Sequence, residues 1–152
     1  MDRKAFSTTT TRKSPSFLRV RRVKLLLDTH VAIWSLARID LLKPEIRDLI
    51  ANAENEIHVS AVSILEIGIK HAFGRRSAPP FGSDETLRLC TEANYTLIAI
   101  TSLEAAAVSL LPPSMPIRST GCWWHKHLMA LYRLVTRDAT VARYSDTIIL
   151  AR

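Results

Sequence analysis

Several features are scarce in this sequence, and each scarcity narrows what the protein can be. No apolar run approaches the roughly 18–20 residues that span a bilayer, so the chain does not read as a membrane protein. Cys90 and Cys122 are the only cysteines, too few for a disulfide framework, which makes a reducing, cytoplasmic setting the expectation. There is no secretory apolar segment near the start and no internal repeat. The last scarcity is local. From Pro112 to Arg137 the chain has no Asp or Glu.

What is present suits one soluble domain: 152 residues, 47% hydrophobic and 23% charged, enough to bury a single core. The formal net charge of +7 suggests a nucleic-acid partner, but its distribution weakens that inference. Residues 1–22 carry seven Lys/Arg and one acid, whereas residues 23–152 carry fourteen basic and thirteen acidic residues. The folded part is therefore nearly neutral.

The basic segment, "MDRKAFSTTTTRKSPSFLRVRR", is rich in Ser and Thr and has no apolar periodicity. Three readings stay open for it: a start misplaced upstream of Val23 (a GTG codon can initiate as Met), a disordered phosphate-binding arm, or a transit peptide. Residues 1–22 are expected to be extended, and 23–152 to form the domain.

From Val23 onward, strand and helix signals alternate. "VKLLLD" is a short apolar run fit for a strand buried on both faces, followed by helical "THVAIWSLA" and "KPEIRDLIANA", the latter with Pro44 in its first turn. "EIHVSA" reads as a second strand. In the helix after it, Val62, Leu65, Ile69 and Phe73 fall on one stripe and Gly74 supplies the stop. "RRSAPPFGSD" is a loop, expected to be mobile, before helical "ETLRLCTEAN" and the third strand "YTLIAI". Thr101 and Glu104 have capping-box spacing at the start of "TSLEAAAVSLL". "YRLVT", "DATVARY" and "TIILA" complete the pattern as strand, short helix and strand. Such alternation predicts a three-layer α/β/α domain around a mostly parallel sheet.

Three acids stand out by position. Asp28 closes the first strand, Asp138 follows the fourth, and Glu66 interrupts the apolar "SILEIGIK" on the helix after the second. In open α/β sheets, ligands bind beyond the carboxyl ends of the strands, where all three can meet. Each acid also has a plain structural reading: the two aspartates as helix N-caps, and Glu66 as the i,i+4 partner of Lys70. Three carboxylates held together repel one another and call for a cation, and oxygen donors suit Mg2+ or Mn2+. His30 and His58 read as structural.

"KLLLDTHVAIWSL", "IHVSAVSILEIGIKHAFGR" and "LVTRDATVARY", in this order and spacing, resemble a PIN-domain ribonuclease, specifically a VapC-type toxin of a toxin–antitoxin pair. The resemblance runs from about residue 23 to 150, with a gap at 114–127. It implies a PIN-like fold, Mg2+- or Mn2+-dependent cleavage of RNA, a small VapB-like antitoxin as partner, and a homodimer as an assembly to be tested. The family acids map to Asp28, Glu66 and Asp138 as catalytic and metal-binding residues. Thr136 maps to a polar position whose hydroxyl would orient a carboxylate or a bound water. In an intact relative, a cation held there lowers the pKa of a bound water and offsets charge on the phosphate.

The departure falls in the acid-free stretch. Before the fourth strand the family expects a segment resembling H-x-D-P-x-D-R-x-L-x-A-Q-A, whose second Asp is the remaining core acid. This chain instead has "SMPIRSTGCWWHKH", residues 114–127. Read one base out of frame, the codons of Cys122-Trp123-Trp124-His125 force Leu-Val-Ala, and the flanking codons permit H-A-D-P-I-D-R-M-L-V-A-Q-A across the whole stretch. Residues 114–127 therefore read as an out-of-frame translation between two compensating indels, which removes the remaining core acid and adds Arg118.

Two rival readings are weaker. Cys122, His125 and His127 form C-x-x-H-x-H, which lacks a second pair at zinc spacing. A phosphoacceptor receiver domain wants paired acids after its first strand, where this chain has Asp28-Thr29-His30. A non-catalytic, antitoxin-binding PIN remnant remains the alternative to an active nuclease. The coding DNA across 110–130 is expected to permit the shifted string, and codons that cannot yield it would remove the frameshift reading.

Overall fold

The computed structural model describes residues 22–74, 78–106 and 132–152. The segment 114–127, with Cys122, His125, His127 and Arg118, lies outside the described residues, as do residues 1–21. Of the basic N-terminal segment only Arg22 is described, and it pairs with Glu56 at 3.6 Å.

Five parallel strands form the sheet, β1 (Lys24–Leu27), β2 (Glu56–Ser60), β3 (Thr96–Ile98), β4 (Arg133–Thr136) and β5 (Ile149–Leu150), in the order β3-β2-β1-β4-β5. Two helices, α1 (Thr29–Ala37) and α2 (Pro44–Ala51), join β1 to β2, with a short 3-10 turn at Ile39–Leu41 between them. Two more, α3 (Ala61–Ala72) and α4 (Ser83–Glu92), join β2 to β3. Helix α5 (Ser102–Ala106) follows β3, and α6 (Ala139–Ala142) links β4 to β5. The expected α/β architecture with a parallel sheet is the one observed.

The strand order creates a switch point. From β1 the chain moves outward to β2 and β3, then returns across the sheet to β4 on the other side of β1. Right-handed crossovers put the connections of the two directions on opposite faces. The packing agrees. Leu25, Leu27, Ile57, Val59 and Val135 bury against Val31, Ala32, Trp34 and Ile46 of α1 and α2, while Leu26 and Leu134 bury with Val141 of α6 on the other face. β1 is thus covered on both sides, which is why its sequence is apolar without alternation.

Local signals acted as their chemistry requires. Pro44 opens α2, where a missing N–H costs nothing. The Glu104 carboxylate accepts the Thr101 backbone N–H at 2.8 Å, and the Thr101 hydroxyl accepts the Glu104 N–H at 3.3 Å, closing the capping box. Gly74 takes a left-handed φ of 58° just past α3, a conformation that costs glycine little. The loop before α4 is tied down in its described part: Phe81 is buried, and His71 Nδ1 lies 3.0 Å from the Pro79 carbonyl.

The α3 stripe has the expected period but not a uniformly buried face. Val62 is buried, whereas Leu65, Ile69 and Phe73 are 61%, 48% and 73% exposed. The helix packs instead through Ile67 and through Gly68, where an added Cβ would meet the Ser83 Cβ at 3.1 Å. Close approach of α4 selects that face. His58 is buried and lies edge-on to Tyr132, ring centres 4.7 Å apart, consistent with a structural role. Its Nε2 lies 3.5 Å from Glu56, yet neither ring nitrogen has a hydrogen-bond partner among the described residues. Burial lowers its pKa, and Glu56 opposes the shift without cancelling it.

Candidate active site

The first acid sits where the two halves of the sheet diverge. Asp28 ends β1 and caps α1, its Oδ1 accepting the Val31 N–H at 2.8 Å. Its Oδ2 accepts the Thr136 hydroxyl proton across the β1–β4 boundary and the Arg137 backbone N–H at 3.2 Å. Thr136 is buried at the last position of β4, so this carboxylate is clamped to the neighbouring strand end.

Asp138 is held by the same threonine. Its backbone N–H donates to Thr136 Oγ1 at 3.1 Å, and its own Oδ1 accepts the N–H groups of Thr140 and Val141 at 2.8 and 3.4 Å. The second acid of the pair therefore caps α6 as the first caps α1. One hydroxyl joins them, although 108 positions separate Asp28 from Thr136.

Glu66 reaches the same edge from α3. The Thr29 hydroxyl donates to Glu66 Oε2 at 2.6 Å and lies 3.2 Å from Ser63 Oγ. The other oxygen, Oε1, pairs with Lys70 Nζ at 2.6 Å, one helical turn along α3. The Glu66 side chain is only 10% exposed, so both oxygens exchange water for partners supplied by the protein. His30 lies among these groups. Burial holds its pKa below the ordinary value, Arg137 and Lys70 push the same way, and Asp28 and Glu66 oppose them.

The structural readings of the acids hold: two are N-caps and one is an i,i+4 pair. Thr29, Lys70 and Arg137 complete the neighbourhood, and two of them are chain neighbours of the acids. That adjacency was the only sequence signal for Thr29 and Arg137. Trp34, six positions after Asp28, had none; Arg137 lies over its ring, 5.7 Å from the guanidinium carbon to the ring centre.

The oxygen donors suit a hard cation in chemistry, but their present commitments do not form a cage. Both Glu66 oxygens already have partners in Thr29 and Lys70, and Asp28 accepts from three protein donors. Among the described residues no group of three or more His, Cys, Asp or Glu side chains could hold a metal ion.

No family model matches this sequence, and no curated protein matches it. In fold, the protein is similar to a chain of VapBC2 from Rickettsia felis, solved bound to a DNA fragment from their promoter: TM-score 0.53, 12% identity, covering 84% of this chain and 97% of that one. A domain of a functionally unknown protein from Methanocaldococcus jannaschii also aligns, with TM-score 0.48 and 19% identity over 84% of this chain and 89% of that one. The class defined is therefore a five-stranded parallel α/β domain of PIN-like fold. Among the described residues no helix is long and apolar enough to cross a membrane.

Thr136→Val tests the bridge, because it keeps the side-chain shape and removes both hydrogen bonds. Leaving the Asp28 carboxylate and the Asp138 N–H short of a partner is expected to cost about 1–3 kcal/mol in urea unfolding. Thr136→Ser should retain most of the stability. A valine variant as stable as the parent would show that the bridge contributes nothing.

Proposed function

We propose that this chain is a VapC-type PIN domain: the toxin of a toxin–antitoxin pair, built as a Mg2+- or Mn2+-dependent endoribonuclease and short of one carboxylate as written. The observation that carries the reading is the Thr136 hydroxyl that joins the Asp28 carboxylate to the Asp138 backbone at one sheet edge, with Glu66 bonded to Thr29 next to Asp28. A parallel sheet has one such switch point, and it is where α/β domains place their ligands. The likeness in fold to a VapBC2 chain supports the same class and a small VapB-like protein as partner. RNA as substrate, Asp28, Glu66 and Asp138 as catalytic and metal-binding residues, and a cytoplasmic setting belong to this proposal.

A second reading has its own support. Lys70 already neutralises Glu66, and no three-ligand group is present among the described residues, as suits an antitoxin-binding remnant that no longer cleaves. The two readings separate on repair of the sequence. The chain as written is expected to show little Mg2+- or Mn2+-dependent cleavage of RNA. Replacing residues 115–127 with H-A-D-P-I-D-R-M-L-V-A-Q-A should restore it, and Asp28→Asn in the repaired chain should abolish the gain. The comparison uses samples shown to be folded by circular dichroism, since Trp123-Trp124 in place of Leu-Val alters packing volume. A folded, repaired chain that fails to cleave would overturn the nuclease reading. A written chain that cleaves equally well would overturn the missing-acid account.

A further inference from the structure

Beside the acids, between α1, α3 and the segment before α4, lies a cleft of about 630 Å3. Its basic lining includes Arg38, Lys70 and Arg137, together with His30, and among the described residues no carboxylate lines it. Its apolar lining includes Trp34, Phe73 and Pro79. Three of these residues lead directly to the acids: His30 lies two positions from Asp28, Lys70 holds Glu66, and Arg137 precedes Asp138. The cleft thus borders the acids through Lys70 and through the chain neighbours of Asp28 and Asp138, although none of the three acids lines it.

Its charges are not equivalent. Arg38 forks onto Asp40 with bonds of 3.1 and 3.0 Å, and Lys70 is committed to Glu66. Arg137 forms no ion pair among the described residues, and its guanidinium rests over the Trp34 ring. A planar cation held on an aromatic face keeps its N–H edges available for an anion. Phe73, at the end of α3, is 73% exposed although it is large and apolar. An exposed ring in the same cleft as a cation with no acidic partner among the described residues suits a ligand that alternates flat apolar faces with negative charge. Single-stranded nucleic acid has that chemistry.

Resting on the ribonuclease reading above, we propose that this cleft positions single-stranded RNA, with Arg137 gripping a backbone phosphate and Phe73 stacking a base beside it. The strand then enters along α3 and delivers its next phosphate to the edge held by Asp28 and Asp138. Arg137 acts as a substrate-positioning residue. Its backbone N–H donates to Asp28, which anchors its main chain beside that acid.

The test is binding without cleavage. A fluorescein-labelled, 2'-O-methylated single-stranded RNA is titrated in EDTA with the full chain, and anisotropy is read at several salt concentrations. Phe73→Ala is expected to weaken binding about tenfold, within the range for loss of one stacked base. Arg137→Ala is expected to weaken it by a similar factor and to lower the slope of log K against log salt by about 0.7, the value for one phosphate on a single strand. Phe73→Tyr should bind like the parent, and so should Leu65→Ala, an exposed α3 residue outside the cleft lining. Unchanged affinity in both Phe73→Ala and Arg137→Ala overturns the proposal, as does an equal loss in Leu65→Ala. A fluorescein-labelled peptide rich in Glu and Leu that binds through Arg137 and Phe73 where the RNA does not would also overturn it, and would assign the cleft to protein. Cleavage by the repaired chain separates the two levels. If it cuts RNA with Phe73 and Arg137 both replaced, the cleft assignment fails and the nuclease reading stands.

Discussion

The hydrogen bond from the Thr136 hydroxyl to Asp28 joins the ends of β1 and β4, the paired strands at which the order of the sheet switches direction. β1 is the central strand, and the chain leaves it on one side and returns on the other. Without a lateral tie, the β1 and β4 ends would present two aspartates whose charges repel. Thr136 resolves part of that conflict. It donates to one carboxylate and accepts the backbone N–H of the other residue, so the acids are fixed by neutral contacts rather than by a counter-charge. The helix caps add to the arrangement, because each aspartate also satisfies N–H groups that would otherwise lack partners. Capping and clustering here use the same atoms.

Glu66 shows the other solution to the same electrostatic problem. It is nearly buried, and Lys70 supplies the opposite charge directly. A nearly buried carboxylate that lost this partner would be left uncompensated, which is costly. A cation entering this edge has to compete with an ammonium already in place and with the positive field of Arg137. The repaired segment would change that competition by adding two carboxylates, one of them the remaining core acid, and by exchanging Arg118 and Lys126 for a single Arg. The account therefore makes metal affinity, rather than folding alone, the property that residues 114–127 control.

Much of the frame was legible because it depends on short-range chemistry. The run Leu25-Leu26-Leu27 reads as a strand buried on both faces, and Leu26 indeed faces a different core from its two neighbours. Pro44, Gly74 and the Thr101–Glu104 pair mark helix ends through backbone geometry that sequence encodes locally. The α3 stripe misled because period identifies a helix but not the face that packs, and Gly68 against Ser83 decides that. In the candidate site, Asp28, Glu66 and Asp138 were visible by position. Arg137 and Trp34 were not, since their contact depends on how β4 sits beside α1.

The central claim is that the carboxylate edge is a divalent-cation site lacking one ligand. Calorimetric titration of Mn2+ into the folded chain as written and into the chain repaired at 115–127 measures it directly. The account predicts at least tenfold tighter binding by the repaired chain, with the gain lost in Asp28→Asn. Equal affinity in the two chains, or a gain that survives Asp28→Asn, would contradict it.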